Sequence, residues 1–358
     1  MNTKMLAAVL YGKEELRVEP VAIPRLGPCD VLVKVNVALT CGTDVKVFRR
    51  GYHARMIMPP AVLGHELAGD VVEVGSEVEG FRVGQRVVAA NSAPCQQCYY
   101  CARGQENLCE ELLFNNGAYA EYCRIPGPIV KQNMYEIPGP ISYQDAALIE
   151  PLACVLRGLE EAQVGSGDTV AVIGLGPIGL MFVRLAKTRQ ARVIAVGRRK
   201  TQLERAERMG ADELISTETV AEAVEAVKRL TYRGRGADVA IEAVGQPETW
   251  GWAIRMVRSG GVVNLFGGCP SGSAISLDTA LLHYSEITVK SSFHHTPGHI
   301  RRALEVIARG DIRAKDFVTG EAPLKDILAV LRELMSHNGH MKVAILPWVA
   351  TGILACRF

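Results

Sequence analysis

The sequence lacks an excess of charge of either sign. Its 358 residues carry 40 Lys plus Arg against 38 Asp plus Glu, a formal net charge of +2. That balance offers no field to attract nucleic acid or an anionic membrane, so neither is expected as a partner. A long hydrophobic run is missing too. The most apolar window, Thr169 to Val183, is short and broken by glycines, which does not read as a membrane span. Met1 to Val9 holds one lysine and no extended apolar core, so no secretory signal is expected. Repeats and low-complexity segments are also missing. What remains is an ordinary globular composition, 48% hydrophobic, at a length that suits two domains. Ten cysteines without a secretory signal point to reduced thiols in the cytoplasm, used as ligands or core residues.

Four of those cysteines crowd one short segment. Cys95, Cys98, Cys101 and Cys109 read Cys-x2-Cys-x2-Cys-x7-Cys. Four thiolates at this spacing can close a tetrahedron around one zinc ion. An iron–sulfur cluster is the rival, since ferredoxin-type runs begin in the same way. Those runs place the fourth cysteine three residues on, often before proline. Here the gap is seven and Glu110 follows, which favours zinc. A closed four-cysteine site leaves no open coordination position, so it is expected to hold a loop and not to perform chemistry.

The first 150 residues read as all-β. Runs such as Asp30–Val37, Gly69–Val74 and Phe81–Val88 are separated by Gly and Pro, as in a partly open barrel. The texture changes near residue 152. Val170–Ile173, Val193–Val196, Val239–Glu242, Val262–Phe266 and Ile287–Val289 read as buried parallel strands. Leu180–Arg189, Thr201–Met209, Val220–Leu230 and Glu248–Val257 read as the helices between them, with Gly210 ending the second. This alternation predicts a doubly wound α/β sheet. Two more helices, His299–Ala308 and Leu324–Ser336, and a strand at Val343–Leu346 are expected after it.

Gly174-Leu175-Gly176-Pro177-Ile178-Gly179 follows a strand and opens a helix, the context in which GxGxxG binds a dinucleotide. Gly174 permits the tight turn. Gly176 lets the backbone approach a pyrophosphate, and Gly179 lets the helix pack on the strand. The second strand ends Gly197-Arg198-Arg199-Lys200, with no carboxylate to grip a ribose 2′-OH. Arg198 and Arg199 could pair with a 2′-phosphate, or could be a solvated helix start; NADP is favoured over NAD.

Cys41-Gly42-Thr43-Asp44, Gly64-His65-Glu66 and Glu150-Pro151 form a second cluster. Cys, His and Glu drawn from distant positions suit a zinc site that keeps one position open. With Gly69 and Gly75 spaced behind Glu66, the cysteine lobe, Asn116–Tyr122, the glycine fingerprint and Met341-Lys342-Val343, the chain resembles the zinc-dependent medium-chain dehydrogenases and reductases. The match runs from about Met5 to Pro347, and its context resembles the sorbitol and threonine dehydrogenase branch.

That resemblance implies a GroES-like β-barrel catalytic domain from residues 1–151 and 291–358, and a Rossmann domain from 152–290. It implies Cys41, His65 and Glu66 on a catalytic zinc, with Glu150 as a ligand or exchanging with water. Glu66 would thus serve the chemistry, Thr43 would relay the alcohol proton, and Asp44 would orient the zinc shell. Two zinc ions per subunit, an active site between the domains, and a homotetramer or homodimer follow from the same resemblance. The implied reaction is reversible oxidation of a secondary alcohol, a polyol or related hydroxy compound, to a ketone. An L-threonine-type amino-alcohol dehydrogenase and a non-catalytic NADPH- and zinc-binding sensor are the alternatives. Lys46 stands where the family often has a relay histidine, and the tail Trp348 to Phe358 extends past the family's usual end. Arg49, Arg50, His53, His294 and His295 are further candidates for substrate contact.

Overall fold

The computed structural model describes residues 3–53, 55–217, 219–336 and 339–349. The chain divides into two compact units, residues 1–150 with 295–358, and residues 151–294. Among the described residues no helix is long and apolar enough to cross a membrane. Of the tail, Trp348 and Val349 are described; residues 350–358 lie outside the described residues.

In the second unit six parallel strands form one sheet. Across it they run Glu213–Ser216, Arg192–Gly197, Thr169–Ile173, Ala237–Glu242, Val257–Leu265 and Thr288–Ser291. In chain order this is the 3-2-1-4-5-6 pattern of a doubly wound sheet, as expected. The central strands are near-continuous apolar runs because both faces are covered; Ala171, Ile173, Ile194, Val196, Ala240 and Val263 share one core. Helices Pro177–Thr188 and Pro247–Met256 each begin with proline, whose missing N–H has no partner to lose in a first turn. Gly210, at φ +100°, turns the chain out of helix Lys200–Arg208.

Two strands depart from the sequence reading. Glu213–Ser216 was not anticipated: it is an edge strand with alternating exposure and no continuous apolar run. Val257–Leu265 starts five residues before the expected Val262. Gly260, at φ +70°, lies within it, and its pairing with Ala237–Glu242 shifts register, so the glycines that read as a breaker are absorbed as a bulge.

In the first unit the main sheet runs Met134–Glu136, Arg86–Ala89, Glu66–Val74, Val31–Leu39, Lys342–Leu346 and Val318–Pro323, with Tyr122–Ile125 also paired to Val31–Leu39. A smaller sheet joins Glu15–Ala22, Lys4–Gly12 and Ala61–Val62. Val31, Val33, Val35, Leu67, Val87 and Ile345 of the main sheet meet in the core of this unit. The all-β expectation for the first 150 residues needs correction, since helices form at Gly42–Arg50, Gly127–Asn133 and Tyr143–Ala146. Phe81–Val88 is a strand only from Arg86; Gly84, at φ +87°, makes a turn where the apolar spacing suggested extension.

One pairing positions the site. The C-terminal strand Lys342–Leu346 lies antiparallel to Val31–Leu39, with Ala344 opposite Leu39. Thr40 then closes the register, its N–H donating to Val343 O at 3.1 Å and its hydroxyl accepting from Val343 N at 2.8 Å. Residues more than 300 apart in sequence meet where Cys41 begins its helix.

Candidate functional site

Cys41 is the N-cap of helix Gly42–Arg50. Its Sγ accepts from Thr43 N at 3.4 Å, and its own N–H donates to Asp44 Oδ2 at 3.0 Å, a reciprocal capping box. The cap therefore fixes the thiol and the carboxylate together. Asp44 is buried, and its Oδ1 lies 3.0 Å from His65 Nδ1. A carboxylate can only accept, so Nδ1 carries the proton and Nε2 is the nitrogen left to bind a metal. Burial opposes charge on both partners. Their mutual attraction and hydrogen bonds prevail, holding Asp44 below the ordinary carboxylate range and His65 well above the ordinary imidazole range.

His65 follows Gly64, which turns the chain at φ +89°, and Glu66 opens strand Glu66–Val74. Ligand atoms of Cys41, His65 and Glu66 all lie within 4.8 Å of one another. Thiolate, imidazole and carboxylate make a donor set that suits zinc and leaves room for a further ligand. Glu66 has a partner that sequence reasoning missed. Lys342 Nζ donates to its two oxygens at 2.7 and 2.6 Å and to Thr40 O at 3.0 Å, all of it buried. Burial pushes the Glu66 carboxyl up to about 7, with the Lys342 ammonium opposing that rise. A carboxylate has lone pairs for both a lysine and a metal. Lys342 had appeared only as part of a family motif, and no local pattern marks a lysine as buried.

The other candidates sort by position. Thr43, half-buried, sits in the first helical turn beside Cys41. Glu150 is buried, with Oε1 3.9 Å from His295 Nε2, but it is not within 4.8 Å of all three trio ligands. His295, also buried, places Nε2 3.3 Å from Asn91 Oδ1. Lys46, Arg49 and Arg50 are exposed. His53 Nδ1 accepts from Met56 N at 3.2 Å and so is engaged in its own turn. His294 stands at φ +65°, with its ring tilted on Phe293. Tyr119, quoted above only within a motif, is fully buried and donates its O–H to Asp44 Oδ2 at 2.5 Å.

The four-cysteine lobe is also assembled. Its four sulfurs lie within 4.8 Å of one another, with Cys98 and Cys109 3.9 Å apart. Zinc–sulfur bonds of tetrahedral geometry set sulfurs about 3.8 Å apart, so the residues fit that ion. Cys95 N donates to Cys109 Sγ at 3.2 Å and Cys98 N to Cys95 Sγ at 3.4 Å. Backbone donors from Cys101 and Glu110 draw the Cys98 thiol down to about 6, while burial pushes Cys101 up to about 12.

In the other unit, the glycine loop leaves strand Thr169–Ile173 where the strand order reverses, the usual ligand crevice of such sheets. Gly174 takes φ +90°, and a Cβ on Gly179 would meet Gly174 O at 1.8 Å. Around Gly176, the cap of helix Pro177–Thr188, a Cβ would meet nothing within 4 Å, leaving open the space a pyrophosphate needs. Ile178 sits beside Pro177 in the first turn. Gly197 packs on Leu175, where a Cβ would come within 2.8 Å. Arg198 and Arg199 follow it, exposed and without an ion pair among the described residues.

Comparison with known proteins identifies the family. Residues 27–137 match the family model of the alcohol dehydrogenase GroES-like domain, and residues 177–309 match that of zinc-binding dehydrogenase. The chain is 32% identical over 351 residues to a sorbitol dehydrogenase of Bacillus subtilis (strain 168), covering 96% of this chain and 97% of that one. It is 34% identical over 345 residues to a protein named probable D-xylulose reductase A of Neosartorya fischeri, covering 93% and 94%. Among solved structures, one of the zinc-binding dehydrogenase type from Sinorhizobium meliloti 1021, bound to NADP, superposes with a TM-score of 0.87 at 32% identity, covering 97% and 100% of the two chains.

Proposed function

The chain belongs to the zinc-dependent medium-chain dehydrogenases of the polyol branch, and from that premise we propose that it reversibly oxidises a secondary alcohol to a ketone, with hydride passing to NADP. The observation that carries this reading is the trio of half-buried Cys41 and buried His65 and Glu66, gathered within 4.8 Å, with Thr43 two residues on in the helix that Cys41 caps. The polyol class rests on relatives named sorbitol dehydrogenase and D-xylulose reductase.

Zinc held by the trio would supply Lewis acidity toward an alcohol oxygen, and a nicotinamide bound at the glycine loop would supply the hydride acceptor. Residues of the chain do the rest. Asp44 keeps the His65 ring in one tautomer and orientation. Thr43 would relay the alcohol proton, its hydroxyl accepting that proton while passing its own on to solvent, so that loss of hydride from the carbon and of a proton to water balances the conversion of alcohol to ketone. Lys342 balances the charge of Glu66 in its buried position. Glu150 joins the centre as a ligand or by exchange with water. Cys95, Cys98, Cys101 and Cys109 hold the second, structural zinc. The helix cap at Gly176, with Gly174 and Gly179, receives the pyrophosphate, and Arg198 and Arg199 receive the 2′-phosphate. Residues 1–151 and 291–358 make the metal-binding domain and 152–290 the dinucleotide domain. A cytoplasmic homodimer or homotetramer completes the reading.

The test is a substrate panel of sugar alcohols, L-threonine and simple secondary alcohols, each with NAD and NADP, on protein of measured zinc content. Turnover of a sugar alcohol with two zinc equivalents per chain is expected, and Arg198→Asp should move the NADP to NAD ratio roughly 10-fold or more toward NAD, the worth of a charge-assisted hydrogen bond. Selective turnover of L-threonine would replace the polyol assignment, an unchanged ratio would remove the phosphate role, and one zinc with no turnover on any alcohol would leave a binding protein.

A further inference from the structure

We propose that Tyr119 is a positioning residue for the trio: its O–H locks the Asp44 carboxylate, and through it the His65 ring. The inference rests on reading Cys41, His65 and Glu66 as the metal ligands.

Asp44 has two tasks at once. Oδ1 holds His65 Nδ1 at 3.0 Å, and Oδ2 takes the Cys41 N–H at 3.0 Å. The last torsion of an aspartate is soft, so a modest rotation would loosen both contacts. Tyr119 closes off that freedom by donating to Oδ2 at 2.5 Å, with Leu39 O 3.4 Å from the same hydroxyl. A hydrogen bond to a desolvated carboxylate is charge-assisted and stronger than a neutral one. Burial and the Asp44 charge both favour the protonated phenol, so the donor stays a donor.

The ring of Tyr119 also packs against the turn that carries His65. Gly64 precedes His65, and a Cβ there would come within 2.8 Å of Tyr119 Cγ and Cδ1. The ring thus occupies the space that any larger residue at 64 would claim. The backbones are stitched together in the same place: Tyr119 N donates to Leu63 O at 2.9 Å, and Gly117 N and Ala118 N to Gly64 O at 2.9 and 3.1 Å. Tyr119 therefore touches both the carboxylate that orients His65 and the turn that carries it. Packing alone would be served equally well by phenylalanine; the hydroxyl is what the packing does not explain.

The experiment follows zinc release from the holoprotein into excess chelator, for wild type, Tyr119→Phe and Cys98→Ser. Wild type should show two release phases, and the one missing from Cys98→Ser belongs to the lobe. Tyr119→Phe should accelerate the remaining phase by about 10-fold or more, as for other residues that orient metal ligands, with the lobe phase unchanged. A trio phase at the wild-type rate would overturn the proposal, as would equal acceleration of both phases with a lowered melting temperature, which is the mark of a general packing role. If wild type releases one zinc and Cys98→Ser none, the trio reading itself fails, a result distinct from either. Should Tyr119→Phe not fold, 3-fluorotyrosine placed at position 119 retains the O–H. Its fluorine resonance should shift when zinc leaves the trio in the Cys98→Ser background, and an unmoved resonance would overturn the proposal.

Discussion

The four-cysteine lobe takes all its ligands from residues 95 to 109, while the trio takes Cys41 from a helix cap, His65 from a glycine turn and Glu66 from the head of a strand. The counter-charge of the trio, Lys342, arrives from 276 residues away. Three lobe cysteines are only half-buried, and the sulfurs of Cys95 and Cys109 accept from backbone N–H groups of the same loop. Around half-buried Cys41, the residues His65, Glu66, Asp44, Tyr119 and Lys342 are all buried, and each charge leans on another. The lobe can close over a short loop at small entropic cost. The trio receives its counter-charge only where the sheet pairs Lys342–Leu346 with Val31–Leu39. A local metal site can staple a fold, whereas a dispersed one needs a fold already made to hold it open.

Three substitutions would break or sharpen that contrast. His65→Ala should have the largest effect, a loss of turnover on the order of 10³-fold or more, since the metal is worth several kcal/mol to the transition state. Zinc analysis should show the loss of one equivalent with the lobe's equivalent kept, and an enzyme still active with one equivalent would dissolve the division of labour. Lys342→Met comes next. It leaves the Glu66 carboxylate buried and unpaired, so denaturant unfolding should show a loss of about 3–5 kcal/mol, and adding Glu66→Gln should recover much of it. Additive losses in that double-mutant cycle would show that the two groups do not depend on each other. Cys98→Ser is expected to be the mildest for function. One zinc equivalent and some thermal stability go, while the surviving protein binds dinucleotide as before; lost turnover with stability and zinc intact would make the lobe catalytic.

Legibility in the sequence followed the same divide. The glycine loop was readable because strand, turn and helix are contiguous, and the demands on Gly174 and Gly179 are steric and local. The lobe was readable from its spacing. Phe81–Val88 misled because apolar alternation does not reveal the turn at Gly84, and Glu213–Ser216 escaped because an edge strand needs no apolar run. Cys41, His65 and Glu66 could be named from family resemblance, but Lys342 and Tyr119 could not be given partners, since one lysine in a strand and one tyrosine in an apolar segment look like many others.

By itself, the amino-acid sequence determined the doubly wound sheet, the glycine turn between its first strand and helix and the four-cysteine lobe, since each is written in short-range pattern: period, punctuation and spacing. Tertiary structure alone decided what surrounds the trio. Whether a carboxylate is buried, and whether a lysine 276 residues away or a tyrosine 75 residues away completes it, depends on strand pairing and desolvation, which only the assembled sheet imposes.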